Sequence, residues 1–167
     1  LITLRKLYIV NANPELAKAI RVMKRRGLTL ATAESITGGG LGEAITSISG
    51  SSAVYQGGFI TYSDGSKLKF LGVQKRTLNK YTAVSEEVAI EMAMSARTQF
   101  KVDYAISTTG VAGPGRAYGQ KVGTVWIAID GPSGTTCVLL ALSGSRAEIR
   151  HATIESAIAT FTRILVP

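Results

Sequence analysis

In the octet Ala33-Glu34-Ser35-Ile36-Thr37-Gly38-Gly39-Gly40 a hydroxyl side chain is followed, three residues on, by three consecutive glycines. The residues before it, Leu28–Ala33, form a short strand pattern. Those after it place Leu41, Ala44, Ile45 and Ile48 at helical spacing, which predicts a helix over Gly38–Ile48. A strand that turns within a few residues into a glycine-opened helix is the βα unit of an α/β sheet. The same turn sets the Ser35 oxygen beside backbone N–H groups. Such a place suits a nucleophile with an oxyanion hole or a phosphate cradle, and the octet alone leaves both open.

The rest of the chain repeats the alternation of helix and strand. Asn13-Pro14 is a helix start, with Leu16, Ala19, Ile20 and Met23 as the apolar stripe and Gly27 as the stop. Tyr55–Tyr62 predicts a second strand, and Gly57-Gly58 inside it points to a bulge or a close backbone approach. Short helices follow, one carrying Lys67 and one over Lys75–Tyr81. Ser85-Glu86-Glu87 opens the clearest helix, with Val88, Met92, Ala96 and Phe100 along one side. Tyr104–Thr109, Gly123–Asp130 and Thr135–Ser143 predict three more strands, the last two joined at Gly131-Pro132-Ser133-Gly134 as a hairpin. A final helix spans about Arg146 to Leu165. The expected fold is therefore α/β, a sheet covered on both faces and made mixed by the terminal hairpin.

The 167 residues fit one domain, and 46% hydrophobic content is enough for a packed core. No apolar run approaches the length of a membrane span. The segment Leu1–Val10 is too short and polar for a signal peptide. A lone cysteine, Cys137, rules out an internal disulfide and suits a reducing cytoplasm. The net charge of +8 favours an anionic partner, either nucleic acid or a small phosphorylated molecule. The basic residues are scattered and do not interleave with aromatics, which argues against nucleic acid.

One histidine and one cysteine give no His/Cys metal-ligand set, and the acids do not cluster at strand ends, so no metal is expected. His151 lies inside the last helix, where a surface or packing role is the ordinary one, and nothing places it near Ser35. Cys137 sits mid-strand as core. If Ser35 is a nucleophile, its base must be another residue, and Lys67, just beyond the strand ending at Tyr62, is the candidate. A lysine base must be neutral. Moving its pKa from about 10.4 to near 7 takes roughly 4–5 kcal/mol of bias against the cation. Tyr62 could relay the proton. On spacing alone, a solvent-facing lysine and a strand tyrosine with a wet tip remain the simpler readings. The Tyr-x-x-x-x-Lys spacing is one residue longer than that of Tyr-x-x-x-Lys dehydrogenases, and no dinucleotide fingerprint accompanies it. A second glycine segment, Thr108-Thr109-Gly110-Val111-Ala112-Gly113-Pro114-Gly115, also follows a strand and could receive a carbonyl or phosphate oxygen. Arg146 and Arg150, one helical turn apart, are either a solvated face or a phosphate grip.

Four segments in order carry a resemblance: Thr32–Gly39; Gly58–Lys67; Ala83–Ala89; and Thr109–Pro114 with Val122–Trp126. Together they resemble the CinA C-terminal domain family, the PncC-type nicotinamide-nucleotide amidases. The likeness runs from about residue 14 to the end, leaving residues 1–13 as an N-terminal extension of a single domain over 1–167. It implies a three-layer α/β/α sandwich with a mixed, mostly parallel sheet. It implies deamidation of nicotinamide mononucleotide to nicotinic acid mononucleotide and ammonia, in pyridine-nucleotide salvage, with no metal or organic cofactor. The family's serine nucleophile falls on Ser35, its tyrosine and lysine partners on Tyr62 and Lys67, and its substrate-binding threonine and arginine on Thr109 and Arg146. Glu34, Thr37, Gly38 and Gly39 of the first glycine segment, and Gly110 and Gly113 of the second, are expected at the substrate. A cytoplasmic homo-oligomer is implied, with Leu1–Val10 as an intersubunit element.

Three positions and one loop depart from the family pattern: Ile36 for a usual Cys, Asp64 for a common Asn, Lys121 for a common Pro, and a short loop carrying Arg116 and Tyr118. The loop changes bear on substrate preference. On this resemblance, neutral Lys67 with Tyr62 as relay takes the Ser35 proton, and Oγ attacks the carboxamide. Amides opening the Gly38–Ile48 helix hold the oxyanion, and Arg146 meets the phosphate. The competing readings are a catalytically silent nucleotide-binding or competence-related regulatory homologue and, from charge alone, a DNA-associated protein.

Overall fold

The computed structural model describes residues 13–166. The expectations for Leu1–Val10 and for most of the 1–13 extension lie outside them. In chain order the elements are α1 (Pro14–Arg26), β1 (Leu30–Glu34), α2 (Gly40–Thr46), a 3-10 turn (Ser51–Ala53), β2 (Tyr55–Ile60), α3 (Asp64–Leu71), α4 (Lys75–Tyr81), α5 (Glu86–Phe100), β3 (Tyr104–Gly110), β4 (Thr124–Gly131), β5 (Gly134–Ala141) and α6 (Arg146–Leu165).

Local chemistry explains where the helices begin. The Asn13 side chain accepts from the amides of Glu15 and Leu16, Pro14 occupies the first turn, and Gly27 closes α1 in the left-handed conformation. Ser63 and Ser66 form a capping box on α3, and Ser145 with Glu148 form one on α6. The helix expected over Gly38–Ile48 is shorter, Gly40–Thr46. Gly38 and Gly39 have φ of +59° and +96°, so neither continues a right-handed helix. The first strand likewise runs one residue further than expected, to Glu34, and the second stops at Ile60 rather than Tyr62.

The sheet order is β2-β1-β3-β4-β5. β1 pairs in parallel with both β2 and β3, while β4 runs antiparallel between β3 and β5. Four strands thus point one way and β4 alone opposes them, the mixed and mostly parallel sheet expected. The register of β1 against β2 slips between Leu30 and Ala31, where Gln56 has no partner on β1, immediately before the glycine pair that stands opposite Ala31 and Thr32. At Gly58 a Cβ would stand 2.1 Å from Thr32 Oγ1, so only glycine allows this approach.

Helices cover both faces. On one face Leu30, Ile106, Val125, Ile127 and Ile129 pack against the apolar sides of α1, α2 and α6. On the other, small residues face outward: Ala33 and Ala105 meet α3, α4 and α5, and Ala128 meets Ala89 and Ala93 of α5. Alanine on alanine lets α5 lie close to the sheet, whereas the first face is filled by large side chains. Among the described residues no helix is long and apolar enough to cross a membrane.

This topology brings the carboxyl ends of β2, β1, β3 and β5 to one edge. Thr61-Tyr62, Ser35, Val111 and the start of α6 all follow those ends. Crevices at the carboxyl ends of parallel strands are the ordinary ligand sites of open α/β sheets.

Candidate active site

Ser35 is the first residue beyond β1. Its amide donates to Thr108 O at 2.9 Å, which ties the turn to the neighbouring strand. Lys67 projects from α3 and is only 1% exposed. Its Nζ lies 3.0 Å from Ser35 Oγ and 2.7 Å from Thr61 O. Burial pushes the lysine down to about 8, while the carboxylate of Asp64 pulls weakly the other way. In the neutral form one N–H donates to Thr61 O and the lone pair is left for the Ser35 hydroxyl proton. The geometry therefore pairs a serine with a lysine already biased toward the free amine.

Both groups line a cavity of about 590 Å³, counted to its open mouth. Thr109, Gly110 and Gly113 also line it, as do Tyr62 and Arg146. The Thr109 hydroxyl donates to Ala83 O at 2.6 Å, so it fixes the cavity wall. Arg146 is exposed at the rim, where Nη1 donates to Gly113 O and Nη2 to Tyr62 Oη, both at 2.6 Å.

Tyr62 does not stand between Lys67 and Ser35. It is 59% exposed, its hydroxyl is held by Arg146, and the lysine reaches the serine directly. The relay expected of it is replaced by direct contact.

The first glycine segment also serves a different purpose from the one expected. Glu34 is 1% exposed, and its carboxylate accepts from the amides of Gly39 and Leu41 at 3.0 Å and Gly42 at 2.8 Å. The N–H groups opening α2 are thus already paired with an internal anion and are not available to an oxyanion. Thr37 Oγ1 bonds Thr108 Oγ1 at 2.8 Å. Glu34, Thr37, Gly38 and Gly39 all lie outside the cavity lining. The Ile36 amide, by contrast, has no hydrogen-bond partner among the described residues.

Arg146 and Arg150 do not act as a pair. Arg150 donates from Nε to Ile36 O at 3.2 Å and from Nη2 to Thr37 O at 2.8 Å. It holds the turn after the serine rather than a cavity ligand. Ala83-Val84, from the third segment of the resemblance, and Tyr118, on the loop between β3 and β4 that departs from the family pattern, complete the wall, though neither was expected at the substrate by residue. Ile36 is 3% exposed and packs into the core beside Gly110, where a Cβ would lie 3.0 Å from Ile36 Cδ1. Among the described residues no group of three or more His, Cys, Asp or Glu side chains converges to hold a metal. His151 is exposed on α6, and Cys137 is half-buried with its thiol pushed up to about 11, mainly by burial.

Comparison with known proteins agrees with this architecture. The family model of the CinA C-terminal domain matches residues 13–165. A competence-damage inducible protein of Caldanaerobacter subterraneus subsp. tengcongensis is 47% identical over 132 residues, 78% of this chain and 32% of that protein. The nicotinamide-nucleotide amidohydrolase PncC of Escherichia coli (strain K12) is 48% identical over 109 residues, covering 65% of this chain and 66% of PncC. The chain thus spans about a third of the first relative and just under two thirds of the second. Among solved structures, a CinA superfamily protein from Klebsiella pneumoniae 700603 superposes with a TM-score of 0.89 at 31% identity, over 93% of this chain and 98% of that one.

Proposed function

Since the chain belongs to the CinA C-terminal domain family, we propose that it is an amidohydrolase that deamidates a nicotinamide nucleotide, with Ser35 as nucleophile and Lys67 as its base. The observation that carries this reading is the buried Lys67 Nζ, 3.0 Å from Ser35 Oγ at the cavity wall. The likeness to PncC, whose name specifies the amide, supports the substrate.

The chemistry follows from the groups present. Neutral Lys67 accepts the Ser35 proton as Oγ bonds to the carboxamide carbon. The carbonyl oxygen becomes an oxyanion, and the Ile36 amide, next after the nucleophile, is the donor placed to receive it. The lysine then gives its proton to the departing nitrogen, the C–N bond breaks and ammonia leaves. The resulting ester is attacked by water, with Lys67 again taking a proton. That proton passes to Ser35 Oγ as the ester bond breaks, and the carboxylic acid released gives its own proton to solvent. Thr61 O keeps a hold on Nζ through both half-reactions. At the rim, Arg146 offers a guanidinium to a phosphate once it exchanges its contact with Tyr62 Oη.

The test is ammonia release from nicotinamide mononucleotide by the wild type, Ser35→Ala and Lys67→Met. Turnover by the wild type and loss of at least about a thousandfold in both variants is the expected result. Equal rates in all three proteins would remove the Ser–Lys mechanism. Binding of the nucleotide by a folded wild type with no turnover would favour the silent homologue.

A further inference from the structure

The loop between β3 and β4 turns back on itself at Ala117–Gln120. Gln120 N donates to Ala117 O at 2.9 Å, and the two residues form an isolated antiparallel bridge. The residues between them, Tyr118 and Gly119, have φ of +53° and +74°. Two central residues with positive φ make a mirror-image hairpin turn, whose first position ordinarily takes Asn, Asp or Gly. A bulky aromatic there is disfavoured by contacts with its own backbone. The turn gains nothing from the tyrosine, so the reason for it lies in what the side chain reaches.

It reaches across the cavity mouth. Tyr118 Oη donates to Asp64 Oδ1 at 3.0 Å, linking the turn to the first residue of α3, the helix that carries Lys67. Arg116 Nη2 donates to Gly119 O at 3.0 Å and steadies the tip from its own side. The Tyr118 ring lines the same cavity as Ser35 yet remains 45% exposed, which puts it at the entrance rather than the floor. The entrance therefore has two cross-links, Tyr118 to Asp64 and Arg146 to Tyr62.

We propose that Tyr118, tied to Asp64, is a strap across the cavity mouth that fixes how large an amide substrate the site admits. The inference rests on the amidase reading of this cavity and assigns to Tyr118 and Asp64 the limit on substrate size there. A nucleotide that ends at its phosphate stops at Arg146. A dinucleotide must carry a second nucleoside past the tyrosine ring and a second phosphate past the Asp64 carboxylate.

Labelling of a cysteine at the nucleophile position tests the strap without relying on turnover. In a Ser35→Cys, Cys137→Ala background, alkylation by iodoacetamide is compared with alkylation by a fluorescein-bearing iodoacetamide, the same warhead with a bulky body. Adding Tyr118→Asn installs a residue the turn prefers, so the melting temperature is expected to stay level or rise. The ratio of bulky to small labelling rates is expected to increase about tenfold, the scale of steric discrimination in a pocket. Tyr118→Phe and Asp64→Ala give smaller increases, and Asp64→Asn, which still accepts the hydrogen bond, gives none. An unchanged ratio in the Tyr118→Asn protein overturns the strap. With Ser35 and Cys137 intact, Tyr118→Asn is expected to lower the preference for nicotinamide mononucleotide over the corresponding dinucleotide. A shifted labelling ratio in a protein that deamidates neither nucleotide would keep the strap and discard the proposed substrate.

Discussion

Lys67 Nζ lies 3.0 Å from Ser35 Oγ although 32 residues separate them in the chain. The contact joins the end of β1 to α3 and lies buried at the wall of the cavity. Its consequences are open to measurement.

The first concerns pH. With Lys67 near 8, about a tenth of the molecules hold it neutral at pH 7. If Lys67 is the base, kcat/KM for the amide rises roughly tenfold between pH 6 and pH 7 and flattens above about pH 8. Asp64 favours the charged lysine, so Asp64→Asn moves the midpoint to lower pH. A profile flat from pH 6 to 8 would show that some other group is the base.

The second concerns stability. A lysine whose folded pKa lies near 8 rather than 10.5 releases its proton more readily when folded, which costs about 3 kcal/mol wherever both states would otherwise be charged. The unfolded chain binds the extra proton between those values, so this cost is full below pH 8 and fades as pH rises to 10.5. Lys67→Met is expected to unfold at higher denaturant than the wild type at pH 7, by about 1–3 kcal/mol after its lost hydrogen bonds. The gap should narrow steadily toward pH 10. A less stable variant at pH 7 would contradict it.

A third prediction separates fold from chemistry at Glu34. Its carboxylate serves three amides at the start of α2, so Glu34→Ala leaves them without partners. A loss of about 2–4 kcal/mol in chemical denaturation is expected, with activity falling because the turn after Ser35 loosens. If Glu34 bound substrate instead, stability would hold while KM rose.

The two arginines of α6 should diverge in kinetics. Arg150 grips the carbonyls of Ile36 and Thr37. Arg150→Met is expected to lower kcat about 10–100-fold with KM within about twofold, and Arg150→Lys, able to satisfy one carbonyl, to fall between. Arg146→Met should raise KM about tenfold for a phosphorylated substrate and change little for the unphosphorylated nucleoside.

Sequence patterns reveal the sheet and the serine at a strand end, because those follow from apolar periodicity and turn residues; Lys67 reads as a solvent-facing lysine on spacing alone and gains its place beside Ser35 only through the family resemblance. Side-chain direction was harder to read. Thr61 N still bonds Glu34 O beyond the last residue of β2, so the two-residue alternation continues. It sends Thr61 inward at 1% exposure and Tyr62 outward at 59%, and a relay through Tyr62 is lost. The resemblance puts Glu34 at the substrate with the rest of its segment, yet alternation along β1 turns its side chain away toward the amides of α2. A carboxylate capping a helix that starts six residues later leaves no short-range motif. Arg146 and Arg150 share a helix face, and only the positions of the mouth and the Ser35 turn along that helix give them different partners. Tyr118 is marked in the sequence only as part of a loop that departs from the family pattern; its tie to Asp64 depends on a turn with positive φ that the sequence does not announce.

The reversal of β4 has a practical use. Because β4 alone opposes the other strands, its turn to β5 at Gly131–Gly134 lies at the sheet edge remote from Ser35. Pro132 and Ser133 at its tip are exposed. A tether attached at Ser133 would anchor the protein to a bead or electrode by its blunt end and leave the entrance facing the bulk solution.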